Sequence, residues 1–355
     1  MTSRSKIKWI YGGALGERDK HSISDFGDFG FDLKGHFGNM TDIRHSPKRW
    51  SRAGGLSTLL AKGLTPPCPP ALILSLPRCG SSWVGKMLGQ SRQGLYLREP
   101  MNQSKLEIEG EGTVFMVHGD DAPSKTYRAA ADDAFRGIPR FSRRVVKEPS
   151  RWRVDRLLYR SHVLGGRVVI KDVNPLALGW LLANHQFKLI FLTRHPAAVA
   201  ASWHRMGWME GIESRLEDIL GQELSSEIQS EHTQSLWSCH GAMQALVYRY
   251  VFDTLDSIPH DSYRTVSYES LCKDPEEAFQ GLFEFSGFPY NEHARKRVRQ
   301  HSRKEEDRKE EPYSTHRRST DMINVWRRDL PKAKQSEIRE GYLSMHPPVY
   351  ENGTW

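Results

Sequence analysis

Short apolar runs alternate with helical patterns between residues 71 and 205 of this 355-residue chain. Ala71–Leu76 is long enough for one buried strand and too short for a helix. Gly166–Asp172 and Lys188–Thr193 have the same character, and Leu95–Leu97 is a shorter candidate. Strands that alternate with helices form parallel sheets, whose ligands lie at the carboxyl ends of the strands. The pattern therefore predicts an α/β fold with its functional site at that edge.

Helical patterns fill the stretches between these runs and dominate the second half of the chain. Proline at position 196 occupies the first turn of one of them, a position where its missing N–H does no harm. The predicted helices are Trp83–Gln90, Pro175–His185, Ala197–Arg205, Leu236–Leu255 and Asp274–Phe285, and further strands are predicted at Arg144–Lys147 and Ser262–Tyr268.

Local composition divides the chain into three parts. Residues 1–70 are rich in Gly, Ser, Lys, Arg and His and have little periodicity, so we expect a polar N-terminal extension. Residues 71–345 form the principal domain, and 346–355 are expected to be a C-terminal tail. Within the domain, residues 101–140 have the character of an irregular insertion, which makes them a candidate substrate lid.

The net charge restricts the class of ligand, and the cysteine content indicates the cellular compartment. A net charge of +8 favours anionic ligands, but no nucleic-acid-binding motif is present and no nucleic-acid partner is expected. The four cysteines have no CxxC spacing, which indicates reduced thiols. No apolar run approaches the length of a transmembrane helix, and the N-terminus lacks a signal-peptide core. These features predict a cytoplasmic protein without a transmembrane segment.

The strongest candidate for a binding site follows the first strand. Pro77 ends the strand, and Arg78–Ser82 forms a short turn of small and polar residues before the helix. A strand, a tight turn and a helix start bring unpaired N–H groups and the positive end of the helix to one place. We call the turn Pro77–Ser82 the phosphate cradle, to which Arg78 adds a fixed charge and Ser81 and Ser82 add hydroxyl donors.

An NTPase P-loop is the competing interpretation of this stretch. Residues 80–87 fit G-x-x-x-x-G-K, but Met87 stands where a Ser or Thr should hold Mg²⁺. Trp83 and Val84 are also poorly suited to a loop whose backbone wraps a triphosphate. A purely structural turn between strand and helix is a further alternative.

Other polar side chains stand at the ends of predicted strands. Glu99, Lys171 and Arg194 each lie at or just after a carboxyl end, and Ser202 lies two helical turns beyond Arg194. In a parallel sheet these side chains meet at the same edge as the cradle. On local grounds alone, Lys171 could instead pair with Asp172, and Arg194 could cap a neighbouring helix.

A later turn is a weaker candidate for anion binding. Arg317, Arg318 and Ser319 precede a predicted helix that carries Trp326. This turn could close over a phosphate, although an ordinary surface turn fits the local sequence equally well.

Taken together, these motifs resemble those of the sulfotransferases that use 3′-phosphoadenosine 5′-phosphosulfate (PAPS), over about Leu72–Leu330. Leu76–Trp83 (LPRCGSSW) resembles the family's 5′-phosphosulfate loop, and Thr193–Ser202 resembles its 3′-phosphate motif. Tyr96–Pro100 is similar to the Y-x-x-E-P element of carbohydrate sulfotransferases, including those of the Golgi. Ile170–Asp172 resembles the K-D element of tyrosylprotein and bacterial sulfotransferases.

Two later stretches extend the resemblance. Ser267–Pro275 is similar to the family's Y-E-D-L-x-x-D-P segment, and Arg318–Trp326 to its late cofactor-closing loop. The departures are Cys79, where Ser is usual, and Asn174–Pro175, which is displaced from the common K-D-P; neither removes a charge that the chemistry needs. The resemblance implies a P-loop-like three-layer α/β fold with a central parallel sheet flanked by helices.

The resemblance also implies a reaction and a set of roles. A sulfuryl group would pass from PAPS to an acceptor hydroxyl by in-line displacement, with adenosine 3′,5′-bisphosphate as the other product and no metal. Glu99 would be the general base, and Lys171 and Arg78 would stabilise the charge on the leaving group. The residues implied to bind the cofactor are Arg78, Cys79, Gly80, Ser81, Ser82, Trp83, Arg194, Ser202, Arg317, Arg318 and Ser319.

The acceptor is the least defined part of this interpretation. The Glu99–Pro100 element favours a saccharide or glycolipid hydroxyl, and a small phenol or alcohol is the alternative. A non-catalytic nucleotide-binding protein and a P-loop kinase are the other candidate functions, and the presence of Glu99 and Lys171 argues against the first. The sequence leaves the oligomeric state open.

Overall fold

The computed structural model describes residues 50–52, 63, 65–89, 94–102, 106, 123–142, 166–302 and 323–355. Five strands in these ranges form one all-parallel sheet, and two short strands pair as an antiparallel ribbon. The strands are β1 (Trp50–Arg52), β2 (Ala71–Ser75), β3 (Gly94–Arg98), β4 (Arg140–Ser142), β5 (Arg167–Asp172), β6 (Lys188–Thr193) and β7 (Tyr263–Ser267).

Helices flank the sheet, which confirms the predicted α/β fold class. The helices of the described ranges are α1 (Ser81–Gly89), α2 (Lys125–Phe135), α3 (Leu178–Asn184), α4 (Pro196–Arg205), α5 (Leu216–Ser226), α6 (Ser230–Thr233), α7 (Leu236–Leu255), α8 (Tyr268–Lys273), α9 (Pro275–Phe285), α10 (Glu292–Ser302), α11 (Val325–Asp329) and α12 (Lys332–Ser344), with 3₁₀ turns at Pro175–Ala177, Glu213–Arg215 and Asn352–Thr354.

Strand order places the cradle strand at the centre of the sheet. The order is β3-β5-β2-β6-β7, so β2 has β5 on one side and β6 on the other. All five residues of β2 are buried, as expected for a strand covered by helices on both faces. In register, Ile73 lies between Lys171 of β5 and Ile190 of β6, and Arg98 of β3 lies beside Lys171. Because these strands are parallel, the residues that follow them meet at one edge.

Helices α7 and α12 cross in close contact. A Cβ at Gly241 would lie 2.3 Å from the carbonyl oxygen of Ile338, and a Cβ at Gly341 would lie 2.0 Å from that of Ser238. Only glycine permits so close an approach of two backbones. The crossing holds the C-terminal helix against α7, whose residues from Trp237 to Tyr248 are all buried.

The predicted elements agree closely with the observed ones. Strand β6 and helix α7 have the predicted bounds, whereas α1 begins at Ser81, two residues earlier than predicted. The predicted irregular insertion contains a helix, α2, because Ser124 caps it by accepting from the N–H of Tyr127 at 3.2 Å and alanines pack its inner face. Its proposed role as a lid stays a prediction.

Several predictions fall outside the described residues. Most of the polar extension 1–70 and the predicted strand Arg144–Lys147 lie there, although Trp50–Arg52 forms the β1 strand beside β4. The C-terminal tail, in contrast, is described throughout and packs against the domain. None of the helices described is long and apolar enough to cross a membrane.

Candidate active site

The phosphate cradle lies between β2 and α1 at the carboxyl edge of the sheet. Arg78, Gly80 and Ser82 are partly exposed, whereas Cys79 and Ser81 are buried. Within the described part of the chain, the N–H groups of Gly80, Ser81 and Ser82 have no backbone acceptor. Together with the positive end of α1, these groups form a site suited to an anion.

Two residues of the cradle have a left-handed backbone. Gly80 has a φ of 93°, and a Cβ there would lie 2.6 Å from the ring of Tyr268, so the position requires glycine. Arg78 has a φ of 76°, which costs an L-residue about 1–2 kcal/mol. Such strained residues concentrate at functional sites, where the surrounding structure holds them in place.

Helix α4 is joined to the cradle by two hydrogen bonds from side chains. Arg78 Nε donates to Ser202 Oγ at 2.8 Å, and Trp203 Nε1 donates to the carbonyl oxygen of Pro77 at 3.1 Å. The resemblance had assigned Arg78 and Ser202 to separate phosphate motifs, one for each end of the cofactor. The structure places these two motifs in direct contact, so they form one continuous polar site.

Arg194 follows β6 and also contacts the cradle. Its Nη1 donates to the carbonyl oxygen of Arg78 at 2.8 Å, and its guanidinium lies 4.3 Å from the centre of the Tyr268 ring. Its Nε is buried and has no hydrogen-bond partner among the described residues. Because a buried donor without an acceptor is costly, Arg194 is well suited to receive an anionic ligand.

Tyr248 of α7 fixes the backbone at Arg194. Its hydroxyl accepts from the N–H of Arg194 at 3.2 Å and donates to the carbonyl oxygen of the same residue at 3.1 Å. The same hydroxyl lies 3.8 Å from Cys79 Sγ, so one side chain contacts both phosphate motifs. Burial raises the pKa of Tyr248 well above its ordinary value, which keeps the hydroxyl protonated and able to donate.

Glu99 and Lys171 form an ion pair at the ends of β3 and β5. Lys171 Nζ donates to Glu99 Oε1, and Asn102 Nδ2 donates to Glu99 Oε2 at 3.2 Å. The Lys171 side chain is 3% exposed and that of Glu99 is 17% exposed. Burial lowers the pKa of Lys171, and the neighbouring Glu99 charge opposes that shift. Glu99 has a φ of 49°, so a second candidate catalytic residue has a left-handed backbone at a strand end.

The remaining predicted cofactor residues are less accessible or fall outside the described ranges. Cys79 is fully buried, and burial raises the pKa of its thiol to about 12. Trp83 is 7% exposed and packs edge-on against Phe279, with the ring centres 5.0 Å apart. The turn of Arg317, Arg318 and Ser319 lies outside the described residues.

His195 is buried by aromatic rings and is poorly placed to act as a base. Its ring stacks on Trp326 at 4.3 Å, and its Nδ1 accepts from the N–H of Ala197 as a cap of α4. Burial lowers its pKa to about 3, so the imidazole is neutral at physiological pH.

Among the described residues no group of three or more His, Cys, Asp or Glu side chains could hold a metal ion, and metal independence stays a prediction.

Several residues of this site are not predicted by the sequence motifs. Tyr248 lies in a helix whose apolar pattern predicts only packing, and Asn102 lies in the predicted insertion. Glu269, which accepts from the N–H of His195, and Tyr350, which donates to Glu269, are joined only by the fold. The Ser267–Pro275 motif that contains Glu269 was the one available signal.

Residues 69–343 match the sulfotransferase domain family, so the chain belongs to that family. This match confirms the class of enzyme indicated by the sequence, the PAPS-dependent sulfotransferases. Among curated proteins the chain has no match.

Solved sulfotransferase structures resemble the chain at low sequence identity. One is the sulfotransferase domain of the olefin synthase from Synechococcus PCC 7002, with 18% identity over 81% of this chain and 97% of that one, at a TM-score of 0.45. A sulfotransferase domain from the curacin biosynthetic pathway has 17% identity over 80% and 99%, also at 0.45. A sulfotransferase from Alicyclobacillus acidocaldarius has 17% identity over 79% and 97%, at 0.34.

Proposed function

We propose that this enzyme transfers a sulfuryl group from PAPS to the hydroxyl of a saccharide or glycolipid, with Glu99 as general base. The observation that carries the proposal is the convergence of two arginines and one partly buried ion pair at adjacent strand ends. Arg78 follows β2, Arg194 follows β6, and the Glu99–Lys171 pair lies at the ends of β3 and β5. Family membership supports this reaction class.

The residues present fit the two anionic ends of PAPS. The N–H groups of Gly80, Ser81 and Ser82, which have no backbone acceptor among the described residues, would hold the 5′-phosphosulfate end together with the side chains of Arg78 and Ser82. Arg194, whose buried Nε has no partner among the described residues, and Ser202 would hold the 3′-phosphate. When bound, PAPS supplies the activated sulfuryl group; the protein supplies position and charge.

Two hydrogen bonds support the role of Glu99 as the base that acts on the acceptor. Lys171 and Asn102 donate to its two carboxylate oxygens and so hold the carboxylate in one orientation. In this orientation Glu99 accepts the proton of the acceptor hydroxyl as the oxygen attacks. Lys171 and Arg78 contribute positive charge at the edge where negative charge develops on the leaving group. The saccharide or glycolipid class rests on the similarity of the Glu99–Pro100 element to that of carbohydrate sulfotransferases.

Binding of the nucleotide product is the first test. Calorimetry in EDTA should show that adenosine 3′,5′-bisphosphate binds more tightly than adenosine 5′-monophosphate or ATP. Arg194→Ala removes a charge-assisted contact worth about 1.5–3 kcal/mol, which is roughly a 10- to 150-fold increase in Kd for the bisphosphate. The Kd for adenosine 5′-phosphosulfate, which lacks the 3′-phosphate, should rise much less, because Arg194 acts on that end only through its hydrogen bond to the carbonyl oxygen of Arg78.

Arg205→Ala is the matched control, because Arg205 is the last residue of α4, the helix that begins two residues after Arg194, is 52% exposed and pairs with Asp329 of α11. Equal losses for both nucleotides in Arg194→Ala would contradict the assignment of the 3′-phosphate. Loss of binding on chelation, or tighter binding of ATP, would favour a kinase. A screen of saccharide, glycolipid, phenol and alcohol acceptors with labelled PAPS then decides the acceptor class.

A further inference from the structure

The C-terminal segment, residues 346–355, packs against the turn that carries Arg194. Its rings surround His195: Tyr350 lies 5.6 Å and Trp355 lies 4.6 Å from the imidazole centre. Trp355 Nε1 donates to the carbonyl oxygen of Tyr350 at 3.1 Å, and Tyr342 of α12 donates to that of Val349 at 2.8 Å. The predicted tail is therefore a folded part of the domain, and it reaches the candidate cofactor site.

One carboxylate connects this segment with the turn. Glu269 Oε1 accepts from the backbone N–H of His195 at 3.0 Å, and Glu269 Oε2 accepts from the Tyr350 hydroxyl at 2.7 Å. The Tyr350 hydroxyl also lies 3.2 Å from Thr193 Oγ1, the last residue of β6. The two residues that flank Arg194 in the chain, Thr193 and His195, are thus both held by this Glu269–Tyr350 pair.

The backbone at Tyr350 shows that this contact is strongly constrained. Tyr350 has a φ of 56°, a conformation that a bulky residue rarely adopts. Such a residue costs about 1–3 kcal/mol and persists only where surrounding contacts determine it. Among the described non-glycine residues, positive φ occurs only at Arg78, Glu99, His346 and Tyr350, so the strained positions are confined to the candidate site and this segment.

We infer that Glu269 and Tyr350 are positioning residues that set the Arg194–His195 turn for recognition of the 3′-phosphate. The inference rests on the proposed function and deepens it, because it assigns a role in cofactor selection to residues outside the phosphate motifs. Tyr248 holds the two backbone polar groups of Arg194 itself, and the Glu269–Tyr350 pair holds the residues on either side. Together they fix the direction in which the guanidinium leaves the backbone.

The test uses Tyr350→Phe, which removes the hydroxyl and keeps the ring. The quantity measured is the preference of the protein for adenosine 3′,5′-bisphosphate over adenosine 5′-monophosphate, from the two Kd values in EDTA. We expect the preference to fall roughly tenfold, the scale of one hydrogen bond to a charged group. Tyr250→Phe is the matched control, since it removes a tyrosine hydroxyl that accepts from the N–H of Gly179 on α3, and it should leave the preference unchanged.

Glu269 supplies a second, independent comparison that holds even where Tyr350→Phe does not fold. Glu269→Gln keeps an oxygen that accepts from the His195 N–H, whereas Glu269→Ala does not. The preference should therefore fall much less in the Gln variant than in the Ala variant. An unchanged preference in Tyr350→Phe, or equal losses in the two Glu269 variants, would overturn the inference. A wild-type protein with no preference for the bisphosphate would instead refute the proposed function itself.

Discussion

Replacing Glu99 by Gln should lower the free energy of unfolding as well as turnover. Glu99 is the acidic partner of Lys171, whose ammonium group is almost completely buried. Breaking a buried ion pair from one side is costly because the remaining charge has lost its compensation, by about 3–5 kcal/mol. A Gln side chain still accepts one hydrogen bond from Lys171, so we expect a loss of about 2–4 kcal/mol at neutral pH.

The loss should depend on pH in a defined direction. Burial lowers the pKa of Lys171 below 10.5, so between the folded and unfolded pKa values the unfolded chain binds more protons, and stability rises with pH. Removing the Glu99 charge takes away the influence that opposes the lowering, and the pKa of Lys171 falls further. As the pH rises, the free energy of unfolding of the variant therefore increases over a wider pH range than that of the wild type. Its deficit should be largest near neutrality and should narrow as the pH rises.

Urea unfolding at several pH values measures both effects. Lys171→Met should also lower stability, and the double variant Glu99→Gln/Lys171→Met should recover much of the loss of Glu99→Gln, because no buried charge is left alone. Glu227→Gln is the control, since Glu227 and its partner Arg249 are partly exposed, at 40% and 27%, so that water screens the charge that is left. A Glu99→Gln deficit that matches the control, or that grows with rising pH, would refute this account of Lys171.

Two further predictions concern packing and reactivity. Gly341→Ala should lower the free energy of unfolding by about 3 kcal/mol or more, since its Cβ would meet the α7 backbone at 2.0 Å. Gly281→Ala in α9, where an added Cβ would have no described neighbour within 4 Å outside its own stretch of helix, should instead be neutral or stabilising in the same denaturation assay. The Cys79 thiol, whose pKa burial raises to about 12, should resist alkylation by iodoacetamide in the folded protein, while the partly exposed Cys68 reacts. Labelling of Cys79 faster than global unfolding would contradict that burial.

The fold was predictable because the strands of a doubly covered parallel sheet are continuous apolar runs. Strand β6 is one of them, and its four apolar residues, Leu189–Leu192, stand out between Lys188 and Arg194. The start of α1 was missed by two residues because Ser81 and Ser82 are as common in turns as in a first helical turn. Helix α2 was missed because its sequence carries two aspartates and its apolar face consists mainly of alanine.

The candidate site was predictable only as far as its residues lie in local motifs. Arg78, Arg194, Glu99 and Lys171 each follow or end a strand, so topology alone brings them to one edge. The bond between Arg78 and Ser202 could not be predicted, because it depends on the angle at which α4 leaves the sheet.

The three residues that hold the backbone around Arg194 could not be predicted, because they are far from it in the chain. Tyr248, Glu269 and Tyr350 lie 54, 75 and 156 positions after it in the chain, and no local pattern links them. Only the packing of α7, α8 and the C-terminal segment on the end of β6 brings them together.

The glycine crossing of α7 and α12 has a consequence for how this chain can change in length. Tyr248 lies about two helical turns beyond Gly241, and the C-terminal segment begins a few residues beyond Gly341. One inserted or deleted residue in that part of α7 would rotate Tyr248 by about 100° about the helix axis and away from Arg194. Helices α7 and α12 should therefore tolerate substitution at many positions but almost no insertion or deletion between the crossing and the tyrosines. Surface turns such as residues 256–262, between α7 and β7, are free of this constraint and are where relatives should differ in length.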